Sequence, residues 1–165
     1  MQWFDSFNPQ FPTEKAARLA LNLIEHFELH REPTEAIDTS PLLNKFDLRF
    51  MELPESTCGF TLDVERKIII ALNHNLTTEL TRYVAMHEVG HVACWHPNQL
   101  NACEEGRFVY NQLETEATTV AAYLLVPEVA VLRPALPILK AIANHYTVPP
   151  ELVRIRRHLY LKHGF

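Results

Sequence analysis

The run His87-Glu88-Val89-Gly90-His91 constrains the fold of this chain more than any other segment. Two histidines at positions i and i+4 leave the same face of an α-helix, so both imidazoles can reach one metal ion. Glu88 lies about 100° further round a helix of roughly 3.6 residues per turn. There its carboxylate can act on water at the metal without becoming a ligand. The pattern predicts a helix with a metal centre for hydrolysis, most simply of a peptide bond.

The residues before the motif predict that this helix faces inward. An apolar stripe at helical spacing runs into the two histidines. Its members are Leu80, Tyr83, Val84, His87 and His91. Thr77 or Asn75 can cap the start of the helix, and residues 96–98 are expected to end it. The alternative, a helix with ordinary surface or core histidines, accounts less well for this stripe.

A catalytic zinc ion usually has three protein ligands and keeps a fourth position for water. One known pattern continues with a glycine and a third histidine, but Cys94 and Pro97 occupy those two positions. The other pattern takes a glutamate from a later helix. The glutamates available are Glu104, Glu105, Glu114 and Glu116. The first two lie in a polar segment that predicts a loop.

The choice between the other two rests on a helix predicted over residues 111–126. Glu114 shares a face with Ala117 and Ala121, whose small side chains would let this helix approach the histidine helix closely. Glu116 points roughly 200° away from Glu114 at the helical period. We therefore expect Glu114 to be the third ligand, with Glu116 as second choice. The alternative for either is an ordinary solvated helix charge.

Four further residues carry weaker expectations. Cys94 falls near the metal face but is expected to be a small buried core residue rather than a ligand. His96 stands where it can meet substrate or simply finish the helix, and His74 and His145 are expected at the surface. The native metal is expected to be zinc, with manganese as the alternative.

The composition predicts one soluble globular domain. The chain has 165 residues, enough for a core of its own. Its net charge of −5 argues against a general nucleic-acid binder. We expect a single metallopeptidase domain over residues 1–165. It would comprise an N-terminal helix and connection (1–40), a sheet with the active-site helices (42–127) and a helical C-terminal subregion (128–165).

The cysteines and the apolar segments indicate a cytoplasmic protein. Three cysteines, an odd and sparse set, do not predict a disulfide framework, so a reducing compartment is expected. The N-terminus lacks a basic segment followed by an apolar run, so no signal peptide is expected. The most apolar stretch, residues 120–126, is far too short to span a bilayer.

The remaining periodicity predicts an α+β fold, with a small antiparallel sheet packed on a helical, zincin-like core. Residues 13–29 have the pattern of an amphipathic helix, and residues 33–41 form a connection rich in helix breakers. Residues 48–53 alternate as a strand, and residues 59–64 and 68–72 predict a hairpin that leads into the metal helix. We expect an extended substrate to pair with this sheet edge.

The C-terminal region predicts a helix-turn-helix-like pair. Residues 138–145 and a segment from Pro150 to about Leu161 are helical in pattern, with a turn between them. The last helix carries a basic cluster, which comprises Arg154, Arg156, Arg157 and Lys162. A solvated helix face explains this cluster better than DNA contact does, so direct DNA binding is not expected.

The order of elements resembles the ImmA/IrrE family of metallopeptidases. The resemblance is carried by Gly59-Phe60 with residues 68–73, residues 82–91, residues 114–117, residues 120–127 and the turn at residues 146–148. It covers the chain from about residue 42 onward and, more loosely, the first helix. Val126 stands where methionine is usual, and Val148-Pro149 where Val-Ser is usual. Neither departure touches the metal chemistry.

The resemblance implies a cytosolic, zinc-dependent protease of bacteria or their mobile elements. Such proteases typically cleave XRE-type helix-turn-helix repressors and so turn on stress-response or mobile-element genes. It also implies His87, His91 and Glu114 as metal ligands and Glu88 as general base. Some relatives carry an appended DNA-binding or sensor domain. Since this chain is expected to have room for neither, a repressor target would come in trans.

Two other classes of function compete with the enzyme. The first is a catalytically silent, metal-binding regulator, such as an immunity or antitoxin partner, which the intact Glu88 disfavours. The second is a DNA-binding module over residues 138–162, which the negative net charge disfavours. No residue is assigned as the oxyanion stabiliser; the candidates are Tyr83, Tyr123 and His145.

Overall fold

The structure, a computed structural model, describes residues 4, 6–30, 35–97, 107–132 and 138–165, with the side chains of residues 107–110 left out. These residues form seven helices and three strands, which confirms the α+β class. The helices are α1 (Glu14–His26), α2 (Ser40–Leu43), α3 (Thr78–Ala93), α4 (Arg107–Leu125), α5 (Glu128–Val131), α6 (Leu139–Tyr146) and α7 (Pro150–His163). The strands are β1 (Asp47–Met51), β2 (Gly59–Val64) and β3 (Lys67–Asn73). Glu104 and Glu105 lie outside the described residues.

The three strands form a mixed sheet in the order β1-β3-β2. The predicted hairpin is present, with β2 antiparallel to β3 and Gly59 opposite Leu72. Glu65 and Arg66 turn the chain with φ angles of 49° and 70°, the positive values that two-residue hairpin turns favour. β1 instead runs parallel to β3, with Asp47 opposite Ile69. An entirely antiparallel sheet was therefore wrong for β1, because alternation predicts a strand but not its direction.

Helix α3 begins at the cap that the sequence favours. Of the two predicted caps, Thr77 serves, and its Oγ1 accepts a hydrogen bond from the backbone N–H of Leu80 at 3.4 Å. The helix ends at Ala93, earlier than the expected stop at residues 96–98. Helix α4 also starts earlier than expected, and it ends just before Pro127.

The core lies around α4, which is completely buried from Val120 to its end at Leu125. Helix α1 packs on α4 through its buried small side chains Ala16, Ala17 and Ala20. Helix α3 is held between α4 on one side and strands β2 and β3 on the other. This layering gives α3 two buried faces, and the metal motif is on this helix.

Helices α3 and α4 cross where one has a glycine and the other an alanine. A β-carbon at Gly90 would lie 2.7 Å from the carbonyl oxygen of Ala117 and 2.8 Å from its α-carbon. The crossing therefore requires glycine at position 90. It also brings Glu114, which lies one helical turn before Ala117, close to the motif on α3.

Two short helices lie in segments where the sequence predicted no individual helix. Helix α2 begins near the end of the breaker-rich segment, with Pro41 in its first turn. A proline there loses no hydrogen bond, since the first N–H groups of a helix have no partner within it. Helix α5 follows Pro127, which is its N-cap. Pro41 thus lies in the first turn of α2, whereas Pro127 both follows α4 and caps α5.

Candidate metal centre

The structure brings His87, His91 and Glu114 together. The Nε2 atoms of the two histidines are 3.0 Å apart. The Glu114 carboxylate spans both, with Oε2 3.2 Å from Nε2 of His87 and Oε1 3.4 Å from Nε2 of His91. Successive turns of α3 supply the histidines, and α4 supplies the carboxylate across the close helix crossing.

This donor set suits a tetrahedral metal ion. Two imidazole nitrogens and a carboxylate oxygen are typical zinc ligands, and ligands on one zinc ion lie about 3.3–3.6 Å from each other. The measured separations of 3.0–3.4 Å are close to that range. The side chains are only 12% (His87), 4% (His91) and 11% (Glu114) exposed. The three residues could therefore hold a metal ion.

The electrostatics of this cluster keep the carboxylate ionised. Burial tends to raise the pKa of Glu114, but hydrogen bonds from His87 and His91 outweigh it and hold that pKa far below its usual value. Burial lowers the pKa of His91 to about 4. Burial also opposes protonation of His87, yet the hydrogen bond and negative charge of Glu114 raise its pKa. The hydrogen bonds to the two histidines therefore hold Glu114 in the ionised form that can bind a cation.

Glu88 is buried beside the cluster and has one hydroxyl partner. It is 3% exposed, and the Oγ1 of Thr61 donates a hydrogen bond to its Oε2 at 2.8 Å. Burial raises the pKa of Glu88, although the charge of His87 and the bond from Thr61 pull it down. A raised pKa suits a carboxylate that takes up and returns a proton near neutral pH. Sequence reasoning missed Thr61, since nothing local links β2 to α3.

The Nδ1 atom of His87 has partners from both helices. It lies 3.2 Å from Oγ1 of Thr118 and 3.4 Å from the hydroxyl of Tyr83, and these two oxygens are 3.2 Å apart. The Tyr83 hydroxyl thus faces the nitrogen opposite the one that points into the cluster. Tyr83 orients the His87 ring and is badly placed to stabilise an oxyanion.

The other two oxyanion candidates lie in other surroundings. The Tyr123 hydroxyl donates to the backbone carbonyl of Phe165 at 2.8 Å. His145 is exposed on α6, with its ring against Tyr146. His74 is also exposed, as expected, and its Nδ1 contacts the carbonyl of Met51 at 3.1 Å.

Glu116 lies behind His91, beyond an intervening histidine. Nδ1 of His96 is 2.9 Å from Nδ1 of His91, and Nε2 of His96 is 3.0 Å from Oε2 of Glu116. Gln112 donates to the other oxygen, Oε1, of Glu116 at 3.0 Å. The bond from His96 lowers the pKa of Glu116. Glu116, our second choice for the third ligand, therefore contacts His96 rather than the cluster.

Cys94, His96 and Glu116 form a second group whose donor atoms lie within 4.8 Å of one another. Burial raises the pKa of the Cys94 thiol to about 12, so it is protonated at neutral pH. Cys94 is partly buried and packs against the hydrophobic core, as expected of a small core residue.

Two of the four C-terminal cations are committed to internal contacts. Arg156 is 2% exposed, donates to the carbonyl of Val126 at 3.2 Å and lies 3.9 Å over the ring of Tyr123. Lys162 donates to the carbonyls of Pro9 and Phe11, both at 3.0 Å. These contacts favour a structural role for α7 over DNA contact.

Within the described ranges, every helix is too short or too polar to cross a membrane.

A family model described as the IrrE N-terminal-like domain, peptidase M78, matches residues 45–158. The matched segment is 114 of the 165 residues, and it includes the α3 motif and Glu114. No curated protein matches the chain.

Proposed function

We propose, from the premise that this chain belongs to the IrrE N-terminal-like family of metallopeptidases, that it is a zinc-dependent endopeptidase acting on a repressor protein. The family membership confirms the resemblance drawn from the sequence. The expected substrate is an XRE-type helix-turn-helix repressor, cleaved in trans in the cytoplasm. Its loss would derepress stress-response or mobile-element genes.

The observation that carries this proposal is the convergence of three donor atoms beside a buried carboxylate. His87, His91 and Glu114 would hold the metal through their Nε2 and carboxylate oxygen atoms. Glu88 follows His87 directly in the sequence, and its carboxylate is equally buried. A cluster that only bound metal for stability would have no need of a second buried carboxylate at this place.

Glu88 would carry out the proton transfers of the reaction. When bound, a zinc ion supplies the Lewis acidity that makes water nucleophilic near neutral pH and polarises a carbonyl. Glu88, ionised and fixed by Thr61, accepts a proton from the attacking water at its carboxylate. It then returns this proton to the amine that leaves when the peptide C–N bond breaks.

The edge of the sheet is the proposed binding place for the peptide. Among the described residues no strand pairs with the outer side of β2, so its backbone groups can pair with an extended segment. Thr61 lies on β2 and contacts Glu88. A peptide added along this edge would therefore pass close to the general base. Amide NMR signals of residues 60–72 should shift with a substrate analogue, and unchanged signals would contradict this mode.

We further propose that residues 1–165 act as one domain. The N-terminal segment is tied to α4 by the bond from the Asn8 N–H to Oγ1 of Thr115 at 3.0 Å. It is tied to α7 by Thr13 and His163, whose side chains hydrogen-bond at 2.8 Å. These contacts join the region before the family match to α4 within the match and to His163, which follows the match.

The test incubates the zinc-loaded protein with the helix-turn-helix repressor encoded by the neighbouring gene. The wild type should cut the repressor once or at few sites, and Glu88→Gln should lower the rate by at least about a hundredfold. Glu79→Gln is the matched control, because Glu79 is an exposed glutamate of the same helix. It should cleave like the wild type.

Two outcomes would contradict a peptidase in which Glu88 is the general base. Equal cleavage by the wild type and Glu88→Gln would show that Glu88 is not the base. Metal-dependent binding of the repressor without cleavage would instead support a regulator that acts by binding a partner.

A further inference from the structure

The Nδ1 side of His91 faces a continuous series of hydrogen-bonding groups. The series runs from His91 to His96, from His96 to Glu116, and from Glu116 to Gln112, at separations of 2.9, 3.0 and 3.0 Å. The His96 side chain is 3% exposed. Water therefore cannot easily replace either of the contacts that His96 makes.

The direction of every hydrogen bond in this series follows from the cluster at its start. Nε2 of His91 faces His87 and Glu114, so it would hold the metal through its lone pair and the ring proton would then sit on Nδ1. The Nδ1–H of His91 then donates to Nδ1 of His96. His96 must carry its own proton on Nε2, which donates to the Glu116 carboxylate. In this arrangement every N–H group of the series has an acceptor, and no two N–H groups face each other.

We propose that His96 and Glu116 are positioning residues, which hold the ring and the tautomer of His91 for metal binding. This inference rests on the metal site of the proposed function. Histidine ligands commonly donate their second N–H to a carboxylate or carbonyl, and loss of such a partner typically costs about 10–100-fold in metal affinity or activity. Here a second imidazole stands between the ligand and the carboxylate.

The backbone after α3 is built to bring His96 back over His91. The N–H of His96 bonds to the carbonyl of His91 at 3.0 Å, and that of Trp95 bonds to the carbonyl of Val92 at 3.1 Å. These two bonds form a Schellman turn, which returns the chain beside the last helical turn.

The backbone conformation of Trp95 in this turn is strained. It has a φ of 57°, in the left-handed region that bulky residues rarely adopt, and it is 92% exposed. Its side chain therefore gains little from packing there. Strain of this kind persists where the surrounding contacts determine the conformation. The contact of His96 with His91 and Glu116 is such a determinant.

The same proton assignment disfavours a second metal at Cys94, His96 and Glu116. That ion would need the lone pair on Nε2 of His96 and would move the proton to Nδ1. Two N–H groups would then face each other across the 2.9 Å contact of His96 with His91. A metal ion on His91 and a second ion on Nε2 of His96 therefore exclude each other. The site that includes His91 is the one compatible with the hydrogen bond between His91 and His96.

The experiment measures zinc and cobalt binding by His96→Phe, His96→Asn and Glu116→Gln, without any peptidase assay. His96→Phe keeps a ring but has no acceptor, and its zinc dissociation constant should rise about 10–100-fold. His96→Asn keeps an acceptor near the position of Nδ1, so its affinity should lie between those of His96→Phe and the wild type. Glu116→Gln keeps the shape of the side chain but loses its charge. Its zinc affinity should fall less than that of His96→Phe. His158→Phe, at an exposed histidine of α7, is the control and should bind like the wild type.

A second measurement locates the ring proton of His91. In the zinc-loaded, ¹⁵N-histidine-labelled wild type, His91 should show a slowly exchanging proton on Nδ1 far downfield. This signal should vanish in His96→Phe because water then exchanges it. A purely structural role for His96 would leave the signal in place.

Three results would overturn the proposal. One is wild-type zinc affinity in His96→Phe and Glu116→Gln, and another is a His91 proton found on Nε2. The third is binding of a second equivalent of cobalt that gives a thiolate-to-cobalt charge-transfer band, if Cys94→Ser removes that band. Failure of the wild type to bind zinc would instead remove the metal site, and zinc binding without peptide cleavage would contradict only the proposed activity.

Discussion

At the scale of single residues, Glu88, the proposed general base, is a buried carboxylate whose pKa is set by opposing effects. Burial alone favours the protonated acid, and the Thr61 hydroxyl partly reverses that preference. One hydrogen bond to a charged group contributes about 1.5–3 kcal/mol. The hydrogen bond from Thr61 therefore favours the ionised form of Glu88 and opposes the effect of burial.

Replacing Thr61 with valine should slow catalysis and move its pH dependence. Valine removes the hydroxyl at similar volume, so the pKa of Glu88 should rise further. Because Glu88 must be ionised to accept a proton, the acidic limb of the kcat/KM profile should shift to higher pH. We expect kcat at neutral pH to fall about tenfold or more. Thr61→Ser, which keeps a hydroxyl, should lie near the wild type, and an unshifted profile in Thr61→Val would contradict this role.

His30 should make the fold less stable in mild acid. Its Nε2–H donates to the carbonyl of Leu124 at 3.0 Å, and burial lowers its pKa below the usual value of 6.5, with Arg156 acting in the same sense. In this window the unfolded chain binds the proton more readily, so the free energy of unfolding falls as pH drops below 6.5. His30→Gln, which can keep the donor, should lose less stability between pH 7 and 5 in urea titrations. Parallel losses in both proteins would contradict this assignment.

At the scale of secondary-structure elements, the crossing of α3 and α4 decides whether Glu114 reaches the histidines. Glycine inside a helix costs about 1 kcal/mol relative to alanine. At Gly90 this cost is offset by contact with the backbone of Ala117, which no side chain at position 90 would permit. The glycine of the motif therefore serves the packing of the two helices.

Gly90→Ala should push the helices apart. Its better helix propensity gains about 1 kcal/mol, whereas overpacking a tight contact costs about 1–3 kcal/mol. We expect a net loss of stability of about 1 kcal/mol and a zinc affinity at least tenfold weaker, because Glu114 moves away from His87 and His91. Chemical denaturation and zinc competition assays measure the two effects. Unchanged zinc affinity would mean that the crossing does not control the metal site.

Three helices end in the same kind of Schellman turn, and in each turn a residue other than glycine occupies the left-handed position. Glu28, Trp95 and Thr147 have φ angles of 52°, 57° and 53°, and each is followed by a residue whose N–H returns to the last helical turn. The chain has only four glycines, and other residues occupy these left-handed positions. Some stability is therefore given up at the helix ends.

Trp95→Gly should recover part of this stability. Glycine adopts the left-handed conformation freely, and the exposed indole contributes little packing. We expect stabilisation of about 1 kcal/mol with zinc affinity preserved, since the turn and His96 remain. Thermal unfolding of the zinc-free protein measures the gain. Lower stability in Trp95→Gly would mean that the indole packs against part of the protein after all.

At the scale of the whole molecule, the two ends of the chain are tied together. Lys162 and His163 of α7 hydrogen-bond to residues 9–13, and Arg156 joins α7 to the end of α4 and to the C-terminal carbonyl of Phe165. Arg156 is a buried cation that also lies over Tyr123. Its contacts link α7 and Phe165 to the end of α4, 30 residues before Arg156 in sequence.

Arg156→Met should destabilise the molecule as one unit. It keeps an apolar stem but leaves the carbonyls of Val126 and Phe165 without this donor, at an expected cost of about 2–3 kcal/mol. Unfolding followed by circular dichroism and by the NMR signals of α1 should shift together if residues 1–165 are one domain. Arg154→Met, at an exposed arginine of the same helix, is the control. Separate transitions would contradict the single domain.

Much of the fold, and the three residues of the candidate metal site, could be predicted from local spacing. The 3.6-residue period places His87 and His91 on one face, and small side chains on the face of Glu114 indicate a close helix approach. Both signals depend only on neighbours along the chain. For the same reason the hairpin and the two long helices of the site were predictable, although their ends were less so.

The remaining features depend on contacts between residues distant in sequence. The parallel direction of β1, the bond from Thr61 to Glu88, and the place of Glu116 behind His96 leave no periodic trace. Each is settled by how finished elements pack, because a hydrogen bond across the core needs both partners brought into reach by the fold. Local spacing therefore specified which side chains can face one metal ion, and packing specified what holds those side chains in place.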